Sequence, residues 1–324
     1  MRAISYQQYG SPKNLKLTEV EKPIPRQNEV LVRVRAASIN SWDWDLLRGK
    51  PFIVRLLGGL FKPKCPILGA DVAGEVVSVG RQVKDFKVGD EVYGDIAEAG
   101  FGGLAEYVSV PEKFLARKPS GISFEHAAAI PQAGLLALQG LRYGNGMQRG
   151  HHLLINGAGG GVGTLALQYA KQLGATVTCV DLPEKFDMLR SLGADHLIDY
   201  TTTDYTRTGQ TYDFILDVVA HRSIFEYRRA LNPGGTFSMI GGAMGGGLLL
   251  QMLLIGPLLA VFTKKKLGLM GYRPLRADLD LLASLCVEGK IRSIIDKRYA
   301  LEETPEAFEY FGTGKVQGKL VIVP

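Results

Sequence analysis

The stretch His151-His152-Leu153-Leu154-Ile155-Asn156-Gly157-Ala158-Gly159-Gly160-Gly161-Val162-Gly163 decides how the whole chain is read. Leu153 to Ile155 is a short apolar run, the mark of a strand buried on both faces. The seven residues from Gly157 to Gly163 include five glycines. Val162, Leu165, Ala166, Tyr169, Ala170 and Leu173 then recur at helical spacing until Gly174 stops the pattern. Strand, glycine turn and helix open a βαβ nucleotide-binding unit. Glycine lets the backbone approach a pyrophosphate, and the helix N-terminus offers unpaired N–H groups at the positive end of its dipole. Ala175 to Val180 reads as the next strand, and Asp181 follows it, 18 residues after Gly163. A carboxylate there accepts the hydroxyls of an adenosine ribose. The spacing misses G-x-G-x-x-G by one residue, because Ala158 takes the first place. No Gly-Lys-Ser/Thr follows, so this is not a P-loop.

At 324 residues the chain divides into two domains more readily than it forms one. Its net charge is 38 − 32 = +6, but the cations are dispersed, and Lys264-Lys265-Lys266 is the only basic triplet. That pattern reads as solvated surface, so no nucleic-acid partner is expected. Cys65, Cys179 and Cys286 are too far apart and too few for a disulfide framework or a metal cluster, which fits a reducing compartment. The first eight residues hold no apolar core of signal-peptide type, and the cytoplasm is the expected location.

Residues 1 to about 120 alternate strand signals with Gly and Pro turns: Glu29 to Ala37, Asp71 to Val79, Gly89 to Gly94 and Ala105 to Val110. Close-set β segments of this kind predict a small, mostly β, barrel-like domain. The texture turns helical from Ser123, with one long run from Glu125 to Tyr143. Strand and helix signals then alternate to about residue 271, which predicts a parallel, doubly wound α/β sheet. Its strands are read at Leu153–Asn156, Thr176–Val180, His196–Asp199, Phe214–Val218, Thr236–Ile240 and Leu267–Gly271.

Five ordered motifs carry a resemblance. They are Pro66-Ile67-Leu68-Gly69-Ala70-Asp71-Val72-Ala73-Gly74-Glu75-Val76, Val88-Gly89-Asp90-Glu91-Val92-Tyr93-Gly94, the 157–163 turn, Arg190-Ser191-Leu192-Gly193-Ala194-Asp195, and Gly318-Lys319-Leu320-Val321-Ile322. Together they resemble the medium-chain dehydrogenase/reductase superfamily, in its zinc-free quinone-oxidoreductase branch. The resemblance implies a GroES-like β-barrel domain at 1–122, to which 278–324 returns, and a Rossmann domain at 123–277. It implies a cleft between them for the nicotinamide and a quinone or α,β-unsaturated carbonyl. Zinc-dependent relatives carry a cysteine where this chain has Asn40 and a Gly-His-Glu where it has Gly69-Ala70-Asp71. With Gln132 near the third position, an amide, a methyl and a second amide do not supply the thiolate and imidazole donors that zinc takes, so no metal is expected.

Carried over by the same resemblance, Asn40, Asp43, Tyr93 and Gln132 are the candidates beside the nicotinamide. A local alternative stands next to that reading: Asn40 and Asp43 hold the loop Ser38–Asp45 by hydrogen bonds of their own. Trp42 and Trp44 either line a pocket for a flat substrate or simply pack. The cofactor set is Gly157, Gly159, Gly160, Gly161, Val162, Gly163 and Asp181. Val218, Val219, Ile240, Gly241 and Gly242 join it at strand carboxyl ends, and the resemblance adds Tyr200 near the adenine and Lys315 in a C-terminal loop. Asp181 leans the choice of NAD(P)H toward NADH, with NADPH open through Lys185. Gly245 to Thr263 is 19 residues without a charge. It lies between two Rossmann strands and contains Gly256-Pro257, so 243–266 is read as a pocket-covering or dimer-packing helix or as a peripheral membrane contact, not as a span. A homodimer is expected. The alternative to an enzyme is a dinucleotide-binding protein with a structural, redox-sensing or partner-binding role.

Overall fold

The computed structural model describes residues 1–242 and 246–324, and divides into two compact units. One comprises Met1–Leu135 and Pro274–Pro324, the other Leu136–Arg273. The division at Leu135 falls inside the helix Pro131–Arg142, later than the change of texture at Ser123.

The first unit begins with β1 (Arg2–Ser5), β2 (Lys16–Glu19), β3 (Glu29–Ser38), β4 (Asp71–Val79), β5 (Glu91–Asp95), β6 (Tyr107–Pro111) and β7 (Ala116–Arg117). The second contributes β8 (His152–Asn156), β9 (Thr176–Asp181), β10 (His196–Asp199), β11 (Tyr212–Asp217), β12 (Leu231–Met239) and β13 (Lys266–Leu269). The chain then returns to the first unit through β14 (Ile295–Ala300) and β15 (Lys319–Val323). There β15 pairs antiparallel with β3, Val321 opposite Ser38, while Ser38 also stands opposite Asp71 of β4, and Asp71 opposite Asp95 of β5. This register sets three polar residues in one cross-strand row, beside a core that includes Val32, Val34, Val72, Leu320 and Ile322.

In the second unit the six strands run parallel in the order β10-β9-β8-β11-β12-β13. The order reverses between β8 and β11, which makes their carboxyl ends the switch point where open α/β sheets bind ligands. Leu153, Leu154 and Ile155 of β8 are fully buried, and each stabilises the sheet by about 1.5–3 kcal/mol.

Two local readings are revised. The helical run 125–143 is two helices, Phe124–Ala128 and Pro131–Arg142, because proline cannot donate an amide bond and opens the second helix instead. The uncharged run is helical from Gly246 to Thr263, with a π-helical turn at Gln251–Ile255 and a fresh start at Gly256. A Cβ on Gly256 would stand 2.5 Å from the Leu267 carbonyl, so glycine lets this helix press on β13. Residues 243–245, part of the segment singled out in the sequence, lie outside the described residues. Among the described residues no helix is long and apolar enough to cross a membrane.

Candidate functional site

The glycine turn in the second unit is built from backbone. Gly157 turns at φ +82°, a conformation that side chains resist, and the amides of Gly157 and Ala158 bond to the Val180 carbonyl. A Cβ on Gly163 would lie 2.5 Å from the Ala158 carbonyl and from the Gly157 carbonyl, so the helix Gly161–Gln172 seats directly on the turn. Gly160 behaves differently. Among the described residues a Cβ there would meet only the Gly157 carbonyl, at an uncrowded 3.8 Å, so a side chain is not excluded by the protein's own packing. Gly160 is also the N-cap of that helix, which has no side-chain cap and no acidic residue in its first turn. Uncapped first-turn N–H groups beside open space suit an anion such as a pyrophosphate.

Asp181, at the end of β9, is almost fully buried, and its oxygens are already engaged. Oδ2 accepts from the Gly159 amide at 2.6 Å, Oδ1 accepts from the Leu182 amide at 2.9 Å, and the Lys185 ammonium stands 3.1 Å from Oδ1. Lys185 is buried with its stem over Gly159, where a Cβ would come within 2.4 Å of it. This corrects the ground for preferring NADH, a lone carboxylate that repels a 2′-phosphate, because the carboxylate here is neutralised by its own lysine. Tyr200 follows β10 half exposed, its hydroxyl pushed up by burial and by the carboxylates of Asp181, Asp199 and Glu184.

Asn156 and Asp217 meet at the switch point, where the Asn156 amide donates to Asp217 Oδ1 at 2.9 Å. Sequence reading missed both. Asp217 is fully buried, accepts from the Val219 amide and the Tyr205 hydroxyl, and is pushed up to about 6 by desolvation. It shapes the 218–220 turn, which places the half-exposed Val219 against Gly157. Ile240 donates to the Asp217 carbonyl. Cβ atoms on Gly241 and Gly242 would collide with the Val218 and Ala220 carbonyls at 2.7 and 2.1 Å, so those glycines answer to the protein's own backbone. Lys315 belongs to the first unit and is exposed in the loop before β15.

The first unit holds a side-chain cluster. Asn40 caps the helix Ser41–Arg48; its amide donates to Asp43 Oδ2 at 2.9 Å, and its Nδ2 donates to Asp71 Oδ2 at 2.9 Å. Lys319, buried on β15, donates to Asn40 Oδ1 and stands 3.3 Å from Asp71 Oδ2. Ser38 Oγ also donates to Asp71, and the first-turn Gln132 amide of the helix Pro131–Arg142 donates to its other oxygen. Gln132 Nε2 continues the network to Asp95. Asp43 is fully buried; desolvation pushes its carboxyl up to about 7 despite hydrogen bonds from the Gly69 and Asn40 amides.

Asn40, Asp43 and Gln132 are thus brought together, and the local hydrogen-bond reading of Asn40 and Asp43 describes what they do here. Tyr93 is not among them. Fully buried, it donates to the Leu279 carbonyl at 2.6 Å, so its hydroxyl is engaged by backbone and not by this network. Trp44 packs on Phe308 and Phe311. Asp71 and Lys319 were quoted for resemblance alone. A lysine inside the apolar strand Lys319–Val323 was the available sign of a buried partner. Among the described donors around Asn40 there is no thiolate or imidazole, and the Asp71 carboxylate is paired with the Lys319 ammonium.

Residues 26–120 match the alcohol dehydrogenase GroES-like domain family, and residues 192–322 match the family described as zinc-binding dehydrogenase. The latter range contains none of Asn40, Ala70 and Gln132. A chloroplast envelope quinone oxidoreductase homolog of Arabidopsis thaliana is 32% identical over all of this chain and 98% of its own length. An NADPH-dependent alkenal/one oxidoreductase, chloroplastic, of the same plant is 33% identical over all of this chain and 80% of its own. The structure of the quinone oxidoreductase from Coxiella burnetii superposes with a TM-score of 0.89 at 31% identity, covering all of this chain and 99% of that one.

Proposed function

Because the chain belongs to the medium-chain dehydrogenase/reductase superfamily, in its quinone-oxidoreductase branch, we propose that it reduces quinones or α,β-unsaturated carbonyls with NAD(P)H, without zinc. The observation that carries this reading is the uncapped helix at Gly161 beside the open space at Gly160. A nicotinamide dinucleotide, when bound, supplies the hydride that the protein's own side chains lack. The first-turn amides after Gly160 hold the pyrophosphate, and Val218, Val219 and Ile240 bound the strand ends at the switch point.

Asn40, Asp43 and Gln132 act as positioning residues in this reading. Their donors and acceptors tie the Ser38–Asp45 loop to β4, β15 and the helix Pro131–Arg142 and so fix its backbone. Asp181 serves a ribose diol and Lys185 a 2′-phosphate, so the site accepts both NADH and NADPH. The cytoplasm, where thiols stay reduced, suits the three free cysteines. The deciding experiment pairs NADH and NADPH fluorescence titration with turnover on a panel of quinones and enals. Binding with turnover is expected. Binding without turnover on any acceptor favours the non-catalytic alternative.

The uncharged helix serves a homodimer in this reading. Among the described residues β13 ends the sheet with one side unpaired, and Leu253, Leu254, Leu258, Val261 and Phe262 are exposed beside it. Val261→Asp is expected to convert dimer to monomer in size-exclusion light scattering; an unchanged mass removes this face from the interface.

A further inference from the structure

We propose that the face formed by residues 50–64 docks the protein onto the surface of a bilayer that carries anionic phospholipids. Phe52, Ile53, Leu56, Leu57, Leu60 and Phe61 all point to solvent there, Phe61 at 90% exposure and Leu57 at 65%. Singly exposed apolar residues need no explanation, whereas six within ten positions form a patch of the kind that marks an interaction surface. The patch is bracketed by Lys50 on one side and Lys62 and Lys64 on the other, all exposed and without a salt bridge among the described residues. Between Asp45 and Asp71 the chain has five cations and no carboxylate.

The face is held in shape rather than left loose. Val54 is fully buried and anchors the helix Ile53–Gly58 in the core. The Tyr9 hydroxyl donates to the Gly59 carbonyl at 2.6 Å, and the Tyr9 ring carries the Arg55 guanidinium at 4.8 Å. The Lys64 amide closes the segment onto the Gly58 carbonyl at 2.7 Å, and Gly59 turns at φ +116° where a Cβ would strike the Lys62 carbonyl. The apolar side chains are therefore presented by an ordered backbone, which lowers the ordering cost of binding.

The charges choose the occupant. In a self-association the same patch faces itself, setting Lys50, Lys62 and Lys64 against their own copies with no acid in the segment to pair them. Protein interfaces in general are depleted in lysine. An anionic bilayer meets both parts at once: the rings and leucines enter the headgroup boundary by roughly 5–10 Å, while lysine stems reach to the phosphates. Beside the uncharged face at 246–263 stand Lys264, Lys265 and Lys266, of which only Lys264 is exposed; Lys265 donates to the Arg228 and Leu231 carbonyls and Lys266 to Asn145 Oδ1.

Flotation of the full chain with vesicles of phosphatidylcholine alone, and of phosphatidylcholine with phosphatidylglycerol, tests this. Binding is expected only with phosphatidylglycerol and is reversed by salt. Two double variants, Leu57→Ser with Phe61→Ser and Lys62→Glu with Lys64→Glu, alter exposed side chains, and each is expected to weaken binding by about tenfold or more with the melting temperature kept. Equal binding to both vesicle types, or undiminished binding by either variant, overturns the proposal. A dimer that L57S/F61S converts to monomer, with no vesicle binding by the parent, overturns it in favour of a second copy. Loss of binding on Val261→Ser with Phe262→Ser, alongside intact binding by L57S/F61S, overturns it in favour of the uncharged helix.

Discussion

At Gly160 in the glycine turn of the second unit the working groups are backbone amides, and no side chain crowds them among the described residues; at the Asn40–Lys319 cluster of the first unit they are side chains, each consumed by another. Gly160 is uncrowded by the described residues, whereas Asn40 has both its amide nitrogen and its oxygen in use. An open ring of donors is suited to a ligand that comes and goes. A closed ring of donors and acceptors is suited to holding a loop in one geometry, because any unpaired member would carry a desolvation penalty. Residues of similar polarity thus serve opposite ends, and the hydrogen-bond partner of each atom separates them.

The contrast is broken most sharply within the turn itself. Gly163→Val forces a side chain into backbone 2.5 Å away and is expected to lose several kcal/mol of stability, seen as a large drop in melting temperature. Gly160→Val is expected to melt like the parent yet fail to quench or shift dinucleotide fluorescence. If it binds normally, the open space is not the pyrophosphate site.

Next in size is the cluster's cation. Lys319→Met leaves Asp71 buried without its ion and should cost about 3–5 kcal/mol in urea denaturation. Adding Asp71→Asn should recover part of that loss, and a purely additive double mutant would show that the two side chains act apart.

The pH dependence comes third. Asp43 binds its proton more tightly folded than unfolded, its carboxyl lying at about 7 against an ordinary value of 3.8. Between those values the folded state holds more protons, so this group's contribution to stability falls as pH rises from about 4 to about 7 and is flat above. Asp43→Asn should flatten that slope in denaturation series across the window. An identical slope in the variant means the carboxyl is ionised throughout.

The last test is the sharpest for the cofactor. Lys185→Ala breaks the buried pair with Asp181 and should lower the melting temperature, and among folded protein it should weaken NADPH relative to NADH by about tenfold, read from the two dissociation constants. An unchanged ratio removes Lys185 from 2′-phosphate recognition.

The six parallel strands were legible because apolar runs and the helical period are local signals, and the turn was legible because five glycines in seven residues have few structural uses. Asp181 was legible as the acid after the second strand, but its pairing with Lys185 was not. The two are four residues apart on a strand end and a short 3-10 turn, where helical i,i+4 reasoning gives no guidance. Tyr93 was named from a motif. Its burial under Leu279, far along the chain, depends on how the returning segment 274–324 packs into the first unit.

The sequence by itself determined the elements, their order, the glycine turn and the family, since these follow from periodicity, turn chemistry and motifs read along the chain. Only the tertiary structure decided which polar groups are open and which are closed. Lys319 reaches Asp71 across 248 positions through the pairing of β15 with β3 and of β3 with β4. A side chain's availability is a property of its neighbours in space, and the buried partner that consumes a donor leaves no mark beside it in the sequence.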